Sequence, residues 1–268
     1  MIIFHHIPKT AGTTFHDILS RQYPDEKIFS IDGLDPYKSM KVFDSLTAEQ
    51  INNFALIKGH LANHFSSKVS GDRKTIVFVR EPKDLFLSSY YYIQRAEHNA
   101  HHDLVKDMTL DEFIKYRENQ NWHNSQSKHL CGYTDLRGRG ALTEVSRDVL
   151  KEEVINKVST IQYVFTTSYF DEALMLLHKE LGWERKPYYS RKNKTKKRPS
   201  LSTLSSDQLV QIQNLTDIDQ TLYEMVVKQC ALKFDQKLLK ASKKFSTENK
   251  IYSNFSSLYR KITQSIKL

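Results

Sequence analysis

Short apolar runs alternate with amphipathic stretches along this chain, and that alternation limits the possible folds more than any other feature. Ile2–Ile7, Ala55–Lys58, Thr75–Val79 and Ile161–Phe165 are each four to six residues long and rich in Ile, Leu, Val and Phe. Runs this short read as strands buried in a sheet. Between them, Phe15, Ile18 and Leu19 give a helix over Thr13 to about Tyr23 its buried stripe. Pro82 opens another helix, which runs through the Tyr90–Tyr92 cluster, since Pro suits the first helical position. Thr47 with Gln50 has the spacing of a capping box. Further helices are predicted over Tyr169–Leu181, Ser205–Ile212 and Asp219–Leu232, and residues 97–140 read as a loop-and-helix insertion. Strands that alternate with helices predict an α/β fold, a central parallel sheet flanked by helices. Residues 1–235 form one domain in this reading.

Residues 236–268 have a different character. Ile251, Phe255, Leu258, Tyr259, Ile262 and Ile266 recur at helical spacing, with Lys residues and Arg260 around them, so this segment reads as a basic amphipathic helical tail. The net charge of +9 is concentrated there and in one loop. Residues 191–198 hold six Lys/Arg and no acid, and the tail holds eight Lys/Arg against Glu248. The rest of the chain, with 26 Lys/Arg against 30 Asp/Glu, is mildly acidic. Such a pattern implies local contact with anions; nucleic acid is not an expected partner. No run approaches the roughly 20 apolar residues of a membrane span. The start, Met-Ile-Ile-Phe-His-His, lacks a secretory signal's basic region and cleavage site, and two cysteines are too few for a disulfide framework. A cytoplasmic location is the expectation, with peripheral contact of the tail at an anionic membrane surface.

Two motifs carry chemistry. Ile7-Pro-Lys-Thr-Ala-Gly-Thr-Thr14 lies between a predicted strand and a predicted helix, where backbone N–H groups and the positive end of the helix dipole face an anion. Gly12 permits close approach, Thr13 and Thr14 add hydroxyls, and Lys9 adds a charge. The spacing differs from the nucleoside-triphosphatase loop, because Lys9 precedes the single Gly. In Thr75-Ile-Val-Phe-Val-Arg-Glu-Pro-Lys-Asp-Leu-Phe-Leu-Ser-Ser-Tyr90, Arg80 ends a strand, at the edge where open α/β sheets bind ligands. Ser88 follows eight residues later. Together they suit a second phosphate; an internal ion pair of Arg80 with Glu81 or Asp84 is the competing reading.

The two motifs together resemble the 5'-phosphosulfate loop and 3'-phosphate site of the carbohydrate sulfotransferases that use 3'-phosphoadenosine 5'-phosphosulfate (PAPS), the branch typified by heparan sulfate 2-O-sulfotransferase. The resemblance spans about residues 2–235 in motif order and is dense around the motifs. It implies a P-loop-like sulfotransferase fold, with PAPS as donor, PAP as product and no metal. Lys9, Thr10, Ala11, Gly12, Thr13 and Thr14 would bind the 5'-phosphosulfate, Lys9 also acting in catalysis, and Arg80 with Ser88 the 3'-phosphate. Where the family enzyme has a second Arg, this chain has Leu85.

Sulfuryl transfer to an alcohol needs a base, and histidine suits that task near neutral pH. By the resemblance, the second histidine of a His-Gly-His segment carries over to His60 in Lys58-Gly-His60, and Lys58 replaces the first. His5, His6, His64, His101, His102 and His123 are weaker rivals among the 11 histidines. His98 with His101 and His102 lacks the Cys or carboxylate that would complete a metal site. The resemblance further implies that Arg191, Lys192 and Lys194 close over the nucleotide. Lys58, Asn124 and Gln126 would border a carbohydrate or glycolipid acceptor, and Asp219 with Leu222-Tyr223 would be structural. A nucleotide-dependent kinase and a non-enzymatic protein that binds polyanions or membrane surfaces are the alternative readings.

Overall fold

The structure is a computed structural model that describes all residues except 34, 61, 66, 67, 135–142, 191–199 and 266–268, and the side chains of all of these but 63 and 257–265. Five parallel strands form one sheet in the order β2-β3-β1-β4-β5. They are β1 (Ile2–His5), β2 (Ile28–Ser30), β3 (Leu56–Gly59), β4 (Lys74–Val79) and β5 (Tyr163–Thr166). Every residue of β1, β3 and β5 is buried, as helices on both faces require. Successive side chains alternate between those faces. Ile2, Phe4 and Leu56 join the larger core with Phe15, Phe78, Phe165 and Leu174, whereas Ile3 and Ile57 pack with Phe43, Ile51 and Phe65 in a smaller one.

The predicted elements are present with shifted ends. Helix α1 is Gly12–Ser20, α5 is Pro82–Arg95 and α10 is Phe170–Glu180; α11 and α12 are Ser206–Leu215 and Asp217–Lys233. The capping box at Thr47 forms as read and opens α3, Ala48–Asn52. The insertion contains α6 (His102–Val105), α7 (Leu110–Asn119) and α8 (Ser125–Cys131). With α5 and α11 it builds a third apolar cluster around Phe86, Tyr90, Phe113 and Ile212.

Four described strands and α-helices were not anticipated from sequence, among them the single-turn helix α4 (Ala62–Phe65). Strand β2 has only three residues, too few for a period to show. Helix α2 (Pro36–Asp44) is capped by Asp35, which accepts from Lys38 N at 2.9 Å. Helix α9 (Arg147–Thr160) buries Leu150, Val154 and Val158 but exposes Val149 and Ile155, so its apolar residues surround the axis and mask the helical period.

The basic tail is helix α13, Gln236–Ser265. Its first half is part of the domain. Phe245 is buried in the main core, Ser242 donates to Glu172 at 3.1 Å, and Asn249 accepts from Tyr189 N at 2.7 Å. Ile251 and Phe255, from the predicted stripe, are exposed on a different side of the helix. Leu258, Tyr259, Ile262 and Ile266 fall outside the described side chains. No helix among the described residues is long and apolar enough to cross a membrane.

Candidate active site

The sheet order brings the motifs together. His5 of β1 pairs with Gly59 of β3 on one side and Val77 of β4 on the other. The segments that leave β1 and β3 therefore start level at the carboxyl edge of the sheet, and the one that leaves β4 starts two residues further on. Lys9, His60 and Arg80 lie on those segments. Here the chain also reverses its winding, β2 and β3 lying to one side of β1 and β4 and β5 to the other, and ligands of open α/β folds bind at such a point.

The β1–α1 loop is tightly folded. Lys9 and Ala11 both have left-handed backbones, at φ 66° and 65°. The Thr10 hydroxyl donates to Ile7 O at 2.7 Å, so this buried side chain holds the loop's own shape. Thr14 is buried and Thr13 exposed at the helix start. The Lys9 ammonium lies 3.7 Å from the centroid of the Tyr92 ring, a cation–π contact. Burial, with Arg80 and Arg95 nearby, lowers the Lys9 pKa to about 8.

Arg80 reaches across to this loop. Its Nη1 donates to Lys9 O at 3.0 Å and to Ser88 Oγ at 3.1 Å. Its Nε and Nη2 both contact Asp84 Oδ2 at 2.6 Å. The ion pair with Asp84 that the sequence allowed is present, and Arg80 also links Ser88 to the Lys9 loop. Asp84, Ser88 and Tyr92 recur every four residues and share one face of α5. Tyr92 was not singled out from sequence, although its place one turn beyond Ser88 was the available signal.

His60 stands at the end of β3. Its Nδ1 lies 2.8 Å from His6 O; a carbonyl can only accept, so Nδ1 carries the proton and Nε2 presents a lone pair. Burial lowers its pKa below 6.5, against the raising effect of that hydrogen bond. The His6 ring stacks on His60 at 4.2 Å between centroids, with 22° between planes.

Lys58, Asn124 and Gln126, expected beside an acceptor, are turned inward. Lys58 Nζ donates to His16 O at 3.4 Å and to the Ser20 hydroxyl, both on α1. Its position shares the face of Phe4 and His60, so alternation along the strand aims it under the loop. Asn124 Oδ1 accepts from Ile218 N and Asp219 N at 2.9 and 3.1 Å, capping α12 from another element. Gln126 clamps the Arg80 peptide: Oε1 accepts from Arg80 N and Nε2 donates to Arg80 O, both at 2.8 Å. Asp219, fully buried, accepts from Gln126 N and Ser127 N at 3.2 and 2.7 Å, and burial raises its pKa to about 6. Gln126→Leu leaves a peptide N–H and C=O without partners, so we expect a loss of about 2–4 kcal/mol, read as a lower midpoint in denaturant unfolding.

Arg191, Lys192 and Lys194 lie outside the described residues. His98, His101 and His102 are engaged separately, with Tyr92 OH, Tyr116 OH and Ile93 O. Among the described residues, no three His, Cys, Asp or Glu side chains are grouped to hold a metal ion.

Residues 1–228 match a family model described as "Sulfotransferase family". A solved structure, mouse sulfotransferase SULT7A1 complexed with PAP, resembles the chain with a TM-score of 0.40 and 13% identity, over 98% of this chain and 88% of that one. No curated protein matches the sequence.

Proposed function

The chain belongs to the sulfotransferase family, and from that premise we propose that it moves a sulfuryl group from PAPS to a hydroxyl of a carbohydrate or glycolipid acceptor, with His60 as general base. The observation that carries the reading is the meeting of Lys9, His60 and Arg80 at the ends of three adjacent strands. Two cations at this edge suit the two charged ends of a doubly phosphorylated nucleotide. The Lys9 loop, with the amino end of α1 behind it, takes the 5'-phosphosulfate, and Arg80 with Ser88 takes the 3'-phosphate. Asp84 must share or release the guanidinium when a phosphate binds, because it occupies two of its donors.

In the reaction the acceptor oxygen bonds to sulfur, and the bond between sulfur and the 5'-phosphate oxygen breaks. The acceptor proton passes to His60 Nε2, and the electron pair leaves with PAP. Lys9 offsets the negative charge that develops on the departing oxygen. Positioning and electrostatic stabilisation supply the acceleration. Gln126 and Asn124 act behind the site in this reading, by holding Arg80 and the start of α12.

Radiolabelled PAPS supplied with a panel of glycans and lipid-linked sugars tests the proposal. Label should appear on at least one sugar acceptor, and PAP should raise the thermal unfolding midpoint where ATP with Mg²⁺ does not. Stabilisation by ATP with Mg²⁺ and none by PAP would favour the kinase alternative instead.

A further inference from the structure

We propose that His6 is a positioning residue whose ring holds His60 against the donor loop, so that base and phosphosulfate cradle are aligned as one unit. The inference rests on His60 being the base. Strand alternation puts Phe4, His6, Lys58 and His60 on the face covered by α1. The half-buried His6 ring is held between His60, Phe4, His16 and the start of α1. It stacks on His60 at 4.2 Å and on Phe4 at 5.6 Å, and its Nδ1 lies 3.3 Å from His16 Nε2 on α1. A Cβ added at Gly12 would lie 1.7 Å from His6 Nε2. The first residue of α1 therefore sits directly on this ring, and its lack of a side chain is a condition of the packing. The same residue supplies the carbonyl that orients His60 Nδ1. One amino acid thus touches the base twice, through ring and backbone, and supports the helix start that faces the donor.

His5 at the end of β1, His6 just beyond it, His16 on α1 and His129 on α8 all lie close enough to His60 to feel its charge. Burial lowers the pKa of each, to about 3 for His5, His16 and His129, and well below the ordinary value for His6. All four are neutral near pH 7, so they add no charge beside His60. Removing the aromatic plane of His6 lets water reach one face of His60 and frees its ring to tilt. Misplacement of a reacting group by about 1 Å costs about a hundredfold.

Two variants separate the ring face from the rest. His6→Leu keeps apolar volume but has no plane, and His6→Phe keeps the plane but has no bond to His16. The His60 ring is followed by nitrogen NMR titration in protein labelled at histidine, a readout that needs no turnover. We expect His6→Leu to move the His60 pKa up towards 6.5 and to lower kcat by about ten- to a hundredfold. His6→Phe should retain a lowered His60 pKa and most of the turnover. Wild-type titration and kcat in His6→Leu would overturn the inference, and so would equal damage in both variants. His60→Ala is the control for the underlying reading: full turnover there removes the base itself, whereas an inactive His60→Ala beside an unaffected His6→Leu removes only the role of His6.

Discussion

Alanine in place of His60 should lower turnover by about a hundredfold or more, while calorimetry finds PAP bound with nearly unchanged affinity. The separation follows from where His60 stands. It lies on β3, one strand from the Lys9 loop and two from Arg80, so it is placed to meet the acceptor rather than the nucleotide phosphates. Its Nδ1 proton is committed to His6 O at 2.8 Å, which leaves Nε2 as the basic atom. Burial holds its pKa below 6.5. A base works deprotonated, so turnover should be full at neutral pH and fall only as the pH drops through that lowered value. A kcat profile with its acid limb above pH 6.5, or an active His60→Ala enzyme, would refute the assignment.

The second large effect concerns Lys9. Removing a preorganised charge aimed at a developing anion costs about a hundred- to a thousandfold in kcat, and Lys9→Ala should show a loss of that order together with weaker PAP binding. The ammonium rests on the Tyr92 ring, 3.7 Å from its centroid, and has only to leave that contact for a bound phosphate. Its pKa of about 8 gives the interaction a pH dependence. Above that value the empty protein loses the positive charge, so PAP affinity should decline as pH rises through 8. Binding of the anion favours the charged form and raises the pKa, so proton uptake should accompany binding in the alkaline range. Lys9→Arg keeps its charge at every accessible pH and should flatten the alkaline decline. Affinity that ignores pH between 7 and 9.5 in the wild type would contradict this account.

Much of the site was legible because it is local. Lys9-Thr-Ala-Gly-Thr13 lies in one turn, and Arg80 and Ser88 are joined by the first turns of α5, so spacing alone brings each set together. The strands were legible because burial on both faces makes them uniformly apolar. Lys58, Asn124 and Gln126 were expected beside an acceptor, and their inward direction was not legible because a polar side chain in sequence does not announce where it points. Lys58 bonds to α1, 38 and 42 residues away, and Gln126 clamps a peptide 46 residues away. Each contact depends on how separate elements pack. His6, read only as a rival base, stacks on a ring 54 residues distant, a contact that spacing does not show.

The amino-acid sequence by itself determined most of the segments that become strands and helices, where the two motif-bearing turns lie, and that one loop and the tail carry the excess positive charge. Those follow from backbone preference, side-chain periodicity and composition, all of which act over a few residues. Tertiary structure alone decided that β3 and β4 flank β1, that His60 and Arg80 meet the Lys9 loop at one edge, and that Gln126 holds Arg80. Hydrogen bonds between strands distant in sequence and the burial of both sheet faces select that order, and no short stretch of residues contains that information.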